Sequence, residues 1–172
     1  MAFFIPTNME FLDEVIEEYA TSHTDKETKL LADLNKETWA NVMIPRMLSG
    51  HLQGRILSMF SKLVNPQNIL EIGTYTGYSA LCLAEGLKTN GSLHTLDINE
   101  ECTSVANRYF KKSNFCKNII QHIGEATEII PNLNYNFQLA FIDADKKNYS
   151  NYFDAIIDKI DVGGLIIADN VL

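Results

Sequence analysis

The chain has 172 residues, 46% of them hydrophobic and 21% charged, which is enough for one unit with a substantial core. A formal net charge of −8 argues against nucleic acid as a partner, because polyanion binding draws on Lys and Arg to displace counterions from phosphates. Cys82, Cys102 and Cys116 show no CxxC spacing, the N-terminus has no basic leader, and no segment approaches the ~20 apolar residues of a membrane span. A cytoplasmic protein with reduced thiols and a small-molecule partner is expected, with no membrane association.

From Met9 to about Lys62 the apolar residues recur at helical spacing. Phe11, Leu12, Val15, Ile16 and Tyr19 mark a first helix, Leu30, Leu31, Leu34 and Trp39 a second, and Leu52, Ile56, Leu57 and Phe60 a third. Thr24 and Asp25 are candidate caps for the second, and "IPRMLSG" separates it from the third. From Asn68 the pattern changes to short apolar runs alternating with amphipathic stretches. The runs are "NILEIG", "SLHTLD", "NIIQHIG", "FQLAFIDAD" and "GGLIIADN". Helices are predicted over Gly77 to Leu87, Glu100 to Lys111, from Glu125, and over Tyr149 to Ile160. Five such strands with helices between them predict an α/β fold with a Rossmann-like, doubly wound, mostly parallel sheet. No linker divides the chain, so residues 1–172 read as one domain, with a helical part over 1–64 and an α/β core over 65–172.

In such sheets ligands bind beyond the carboxyl ends of the strands, so the residues after each run carry the functional signal. After the first run come Glu71, Gly73, Thr74, Tyr75, Gly77, Tyr78 and Ser79. The two glycines allow close approach of the backbone to a ligand, and a helix start offers N–H donors; a plain strand-to-helix turn is the alternative. A dinucleotide fingerprint would read G-x-G-x-x-G, whereas this turn has G-x-x-x-G with Glu71 before it, a carboxylate that would repel a pyrophosphate. Asp97 ends the second run, where an α/β nucleotide site places a carboxylate for ribose hydroxyls, and where it could also cap the next helix. Gly124 to Thr127 could flank an adenine. His94 and His122 fall inside strands and read as structural.

The fourth and fifth runs end in "FIDADKKNY" and "IIADN", placing Asp143, Asp145, Lys146, Asp169 and Asn170 at what should be adjacent strand ends. Asp143, Asp169 and Asn170 are three hard oxygen donors suited to a divalent cation such as Mg²⁺, Mn²⁺ or Ca²⁺, and the absence of His and Cys argues against zinc. Taken singly, each is equally an ordinary polar strand end, with Asp145 a helix cap. A neutral amine at Lys146, three positions after Asp143, could accept a proton from a substrate at the same cation, which makes it a candidate general base.

With "LEIGTYTGYS", "TLDIN", "FIDADKKNY" and "GGLIIADNVL" in that order, the chain from about Ser49 to Leu172 resembles the class I, cation-dependent O-methyltransferases, the family of catechol and caffeoyl-CoA O-methyltransferases and their bacterial relatives. The resemblance implies S-adenosylmethionine as methyl donor, with Ser49, Glu71, Gly73, Thr74, Ser79, Asp97, Ala126 and Asp143 around it. In that arrangement Asp97 takes the ribose hydroxyls, Ala126 sits by the adenine, and the Gly73 turn and Ser79 hold the methionine end. It also implies that Asp143, Asp169 and Asn170 hold the metal, Mg²⁺ foremost, that Lys146 is the catalytic base, that the acceptor is a small vicinal diol, and that the protein is a homodimer. Two features depart from the family. "SGHLQGR" carries His51 and Arg55 where relatives often have an acidic residue, so a different acceptor wall is expected. The family also continues past "DNVL" with further strands and a helix, whereas this sequence stops at Leu172, so the C-terminal strands are expected to be missing. A metal-independent methyltransferase acting on a macromolecule and a cofactor-binding module without catalysis are the rival readings.

Overall fold

The structure is a computed structural model that describes residues 13–171. Phe11 and Leu12, which open the first predicted helical stripe, and Leu172 lie outside the described residues. Helices α1 (Glu14–Ser22), α2 (Lys29–Asn41) and α3 (Gly50–Val64) precede the sheet, with a 3-10 turn over Pro45–Met47 between α2 and α3. There follow β1 (Asn68–Ile72), α4 (Tyr78–Ala84), β2 (Ser92–Asp97), α5 (Glu100–Lys112), β3 (Ile119–Ile123), α6 (Ala126–Ile129), β4 (Phe137–Ile142), α7 (Tyr149–Ile156) and β5 (Ile160–Ala168). Among the described residues no helix is long and apolar enough to cross a membrane.

All strand pairs are parallel, in the order β3-β2-β1-β4-β5. Parallel strands joined by helices are covered on both faces, which is why these runs are apolar at consecutive positions instead of alternating. Ile69, Leu139 and Phe141 point to one face and pack with Leu31 and Leu34 of α2, Leu57 of α3, Tyr78 and Leu81 of α4, and Tyr109 and Phe110 of α5. Leu70, Ile72, Ala140 and Ile142 point to the other and pack with Ile130, Leu133, and Tyr152 and Ile156 of α7. This is the doubly wound arrangement. The strand order reverses where β1 lies between β2 and β4, so the crevice for a ligand opens at the carboxyl ends of β1 and β4.

Several expectations are corrected by local chemistry. The side chain that caps α2 is Thr28, whose Oγ1 accepts from the Leu31 amide, and neither Thr24 nor Asp25 takes that role; the Thr24 hydroxyl donates to the Ala20 carbonyl. α6 is a single turn continued by a 3-10 turn at Ile130–Asn132, because Pro131 cannot donate into a longer helix. α7 ends at Ile156, and β5 starts at Ile160, three residues ahead of the expected Gly163. Ile160 pairs with Phe137, a register shift follows, and Leu165 pairs with Leu139; the Asp161 carboxylate at this irregularity accepts from Asn136 and Gln138. Trp39 of α2 is exposed despite its place on the apolar stripe.

Candidate active site

The turn after β1 is built against the end of β4. Gly73 has φ +106, and a Cβ there would collide with the Asp143 carbonyl oxygen. Its amide donates to Leu96 O at 2.9 Å, while the Asp143 amide donates to Ile72 O at 2.9 Å, so the ends of β1, β2 and β4 are locked together around a position that suits glycine. Asp97, at the end of β2, closes the far side of the turn. One of its oxygens accepts from the Tyr75 amide at 2.7 Å and the other from the Asn99 amide at 2.8 Å. The cap of α5 is Asn99, which accepts from the Glu101 and Cys102 amides, so Asp97 keeps lone pairs for a ligand.

Glu71 lies beneath this turn, fully buried. Thr95 Oγ1 donates to its Oε2 at 2.5 Å and stands 2.5 Å from Thr74 Oγ1, forming a chain of hydroxyls below the turn, whereas Glu71 Oε1 has no hydrogen-bond partner. Burial pushes the Glu71 carboxyl up to about 8; the hydrogen bond from Thr95 and the nearby Ser79 hydroxyl counter that, and the nearby charges of Asp143 and Asp97 add to it.

Two adjoining cavities meet at Gly73 and Asp143. The smaller, about 270 Å³, is bounded by Ser49, Thr74, Ser79, Lys146, Asp169 and Asn170 among others. The larger, about 680 Å³, runs past Asp97 and Ile98 to Gly124 and Ala126. The structure therefore gathers Ser49, Gly73, Thr74, Ser79 and Asp143 at one cavity and Gly73, Asp97, Ala126 and Asp143 at the other, and it leaves Glu71 in the layer below. Arg55 and His51 border neither. Arg55 pairs with Glu85 at 2.7 Å and His51 meets the Asp25 carbonyl at 2.6 Å, so both brace α3.

At the ends of β4 and β5, Lys146 stands among the acidic groups. Its Nζ donates to Asn170 Oδ1 at 3.1 Å, to Asp169 O at 3.2 Å and to the Tyr149 hydroxyl at 2.9 Å, and lies 3.8 Å from Asp143 Oδ1. Asn170 reaches this position through a left-handed backbone, φ +51, a conformation that Asn tolerates better than most residues. Burial raises the pKa of Asp143, and the neighbouring Asp169 charge raises it further, while Lys146 opposes both. The set is two carboxylates and one amide oxygen; among the described residues no cluster of three or more His, Cys, Asp or Glu forms a metal centre. Asp145, for which a helix cap is the alternative reading, stands at the N-cap position of the 3-10 turn Lys146–Asn148; its carboxylate makes no cap bond and accepts from the Asn148 side chain and the Tyr152 hydroxyl.

Sequence reasoning did not single out Tyr149 or Gln53. Tyr149 was legible in principle, since its i, i+3 spacing from Lys146 on a helical turn brings the two together. Gln53 meets Asp169 across 116 residues of chain, which no local pattern reveals.

The O-methyltransferase family matches residues 20–172. A caffeoyl-CoA O-methyltransferase of Stellaria longipes is 33% identical over 158 residues, 88% of this chain and 65% of that relative. The chain thus spans just under two thirds of the length of that relative, and 52% of a caffeoyl-CoA O-methyltransferase of Petunia hybrida. Among solved structures, the SAH-bound methyltransferase PaMTH1 of Podospora anserina matches with a TM-score of 0.87 at 27% identity, covering 99% of this chain and 74% of that one. An O-methyltransferase of Bacillus cereus in complex with SAH matches with a TM-score of 0.84 at 30% identity, covering 91% and 73%.

Proposed function

We propose that this chain, which belongs to the O-methyltransferase family, transfers a methyl group from S-adenosylmethionine to a hydroxyl of a small catechol-like vicinal diol, with the help of a divalent cation. The observation that carries the reading is the position of the Lys146 ammonium, which beside the Gly73 turn meets the Asn170 side-chain oxygen at 3.1 Å, the Asp169 main-chain carbonyl at 3.2 Å and the Asp143 carboxylate at 3.8 Å. An ammonium drawn to that spot shows the demand for positive charge, and an all-oxygen donor set suits a hard cation. The relatives named for caffeoyl-CoA act on an acceptor whose ring carries adjacent hydroxyls, which favours a diol here.

In this reading Asp143, Asp169 and Asn170 hold the cation and the two adjoining cavities hold the methyl donor. When bound, the cation supplies Lewis acidity toward the acceptor oxygens and the donor supplies an electrophilic sulfonium methyl. Asp97 accepts hydrogen bonds from the ribose hydroxyls, Ala126 lies against the adenine, and the Gly73 turn with Thr74, Ser79 and Ser49 encloses the methionine end. With the cation taking the ammonium's place among the oxygens of Asp143, Asp169 and Asn170, Lys146 would release its own proton to solvent and then take the acceptor's hydroxyl proton; the acceptor oxygen would bond to the methyl carbon, the electron pair of the broken carbon–sulfur bond staying on sulfur. Bringing the acceptor oxygen up to the methyl donor would be the positioning work of the two strand ends. A homodimer belongs to the same reading, its contact supplied by the exposed Val15, Ile16 and Tyr19 of α1 and Ile56, Met59 and Leu63 of α3.

The test is calorimetry with S-adenosylmethionine followed by a methyl-transfer assay on a panel of catechols, with and without EDTA. Binding and turnover that EDTA abolishes are expected, and Lys146→Ala should lower turnover while leaving cofactor affinity intact. Turnover indifferent to EDTA removes the metal, and binding without turnover on any acceptor leaves only a cofactor-binding module.

A further inference from the structure

The proton-transfer scheme leaves Gln53, a neighbour of the candidate cation site, unused. Gln53, on α3, donates from Nε2 to Asp169 Oδ2 at 3.0 Å. The other carboxylate oxygen, Oδ1, accepts from the Asn170 amide at 2.8 Å, and the Asp169 main chain is fixed by its own amide, which donates to Ile142 O at 3.0 Å. Each carboxylate oxygen therefore has one donor that sets the orientation of the group, and each retains lone pairs for a ligand. Both donors are neutral. They orient the negative charge without cancelling it, whereas a Lys or Arg in the place of Gln53 would compete with a cation.

The mount for this donor is rigid and does not depend on it. α3 is held by the Arg55–Glu85 ion pair, by Ser58 donating to Glu85 at 2.7 Å, by Ser61 donating to the Leu83 carbonyl at 2.5 Å, and by Leu57 in the core. Losing the Gln53 amide would leave the helix in place while freeing the Asp169 side chain to rotate.

We propose that Gln53 is a positioning residue that fixes the Asp169 carboxylate for binding a divalent cation. This rests on the metal-dependent reading above. Partners of metal ligands commonly contribute about 10- to 100-fold to metal affinity, because they remove the cost of ordering the ligand on binding. Gln53→Met keeps the length and nearly the bulk of the side chain, Gln53→Leu is a shorter apolar control, and both remove the amide that donates to Asp169.

The experiment measures Mn²⁺ affinity by electron paramagnetic resonance and calorimetry on the full chain and both variants, alongside S-adenosylmethionine affinity and thermal unfolding. The expected result is a loss of Mn²⁺ affinity of about 10-fold or more, with cofactor affinity and unfolding temperature unchanged. Mn²⁺ affinity equal to the parent's in both variants would overturn the role of Gln53 while leaving the metal site standing. Parallel losses of Mn²⁺ affinity, cofactor affinity and stability would also overturn it, because they would mark a merely structural contact. A parent that does not bind Mn²⁺ would overturn the metal-dependent reading and this proposal with it.

Discussion

Gly73→Ala tests the junction on which both cavities depend. At φ +106 an alanine is strained by about 1–2 kcal/mol, and its Cβ would meet the Asp143 carbonyl, so the ends of β1 and β4 must move apart. That movement puts at risk the bond from the Asp143 amide to Ile72 O, worth about 1 kcal/mol. The sum is about 2–3 kcal/mol, which for a chain of this length lowers the unfolding temperature by roughly 4–12 °C. Differential scanning calorimetry measures the loss of stability. Titration with S-adenosylmethionine measures the second consequence, a marked loss of affinity, because the displaced Asp143 and the turn border both cavities. A variant with parental unfolding temperature and parental cofactor affinity would refute the claim that close approach of the two strand ends requires glycine here.

Glu71 supplies a pH-dependent prediction. Its carboxyl is raised from an ordinary 4.5 to about 8 by burial, so the folded protein keeps a proton that the unfolded chain has released between those values. The contribution to stability is complete below about pH 4.5 and is lost as the pH rises through about 8. Denaturant unfolding should show Glu71→Gln losing less stability than the parent between pH 5 and 9, by about 2–4 kcal/mol; equal losses would contradict the neutral form. Arg55→Ala leaves Glu85 with only Ser58 and Lys62. Burial opposes ionisation of Glu85, yet hydrogen bonds from Arg55, Ser58 and Lys62 hold it down at about 2, so its stabilising effect is present above about pH 4.5 and fades as the pH falls through about 2. The variant should lose about 2–4 kcal/mol at neutral pH and unfold at a higher pH on acidification than the parent, and an unchanged acid transition would discount the ion pair.

How much of this was legible in the sequence follows from the range of each interaction. The strands could be read because residues such as Ile69 to Ile72 and Leu139 to Ile142 are buried on both faces, which leaves continuous apolar runs with polar residues at their ends. The candidate site residues at those ends, Gly73, Asp97, Asp143, Asp169 and Asn170, follow from that topology. Glu71 was placed at the ligand by resemblance, but its burial under Thr95 depends on the β1–β2 register, which pairs the two residues and is set by tertiary packing. The boundaries of β5 depend on a register shift against β4, and the bracing roles of His51 and Arg55 on partners 26 and 30 residues away. Exposed apolar residues such as Trp39, Val15 and Tyr19 match a helical stripe as well as buried ones do, so periodicity located the helices without telling which of their faces is covered.

The most direct test of the account is a crystal of this chain soaked with MnCl₂ and S-adenosylmethionine, with anomalous diffraction recorded for manganese. The account predicts one strong peak within about 2.0–2.6 Å of oxygens from Asp143, Asp169 and Asn170 together, with Lys146 beside it. A cofactor-filled crystal with no peak there, or with manganese bound only elsewhere, would contradict it.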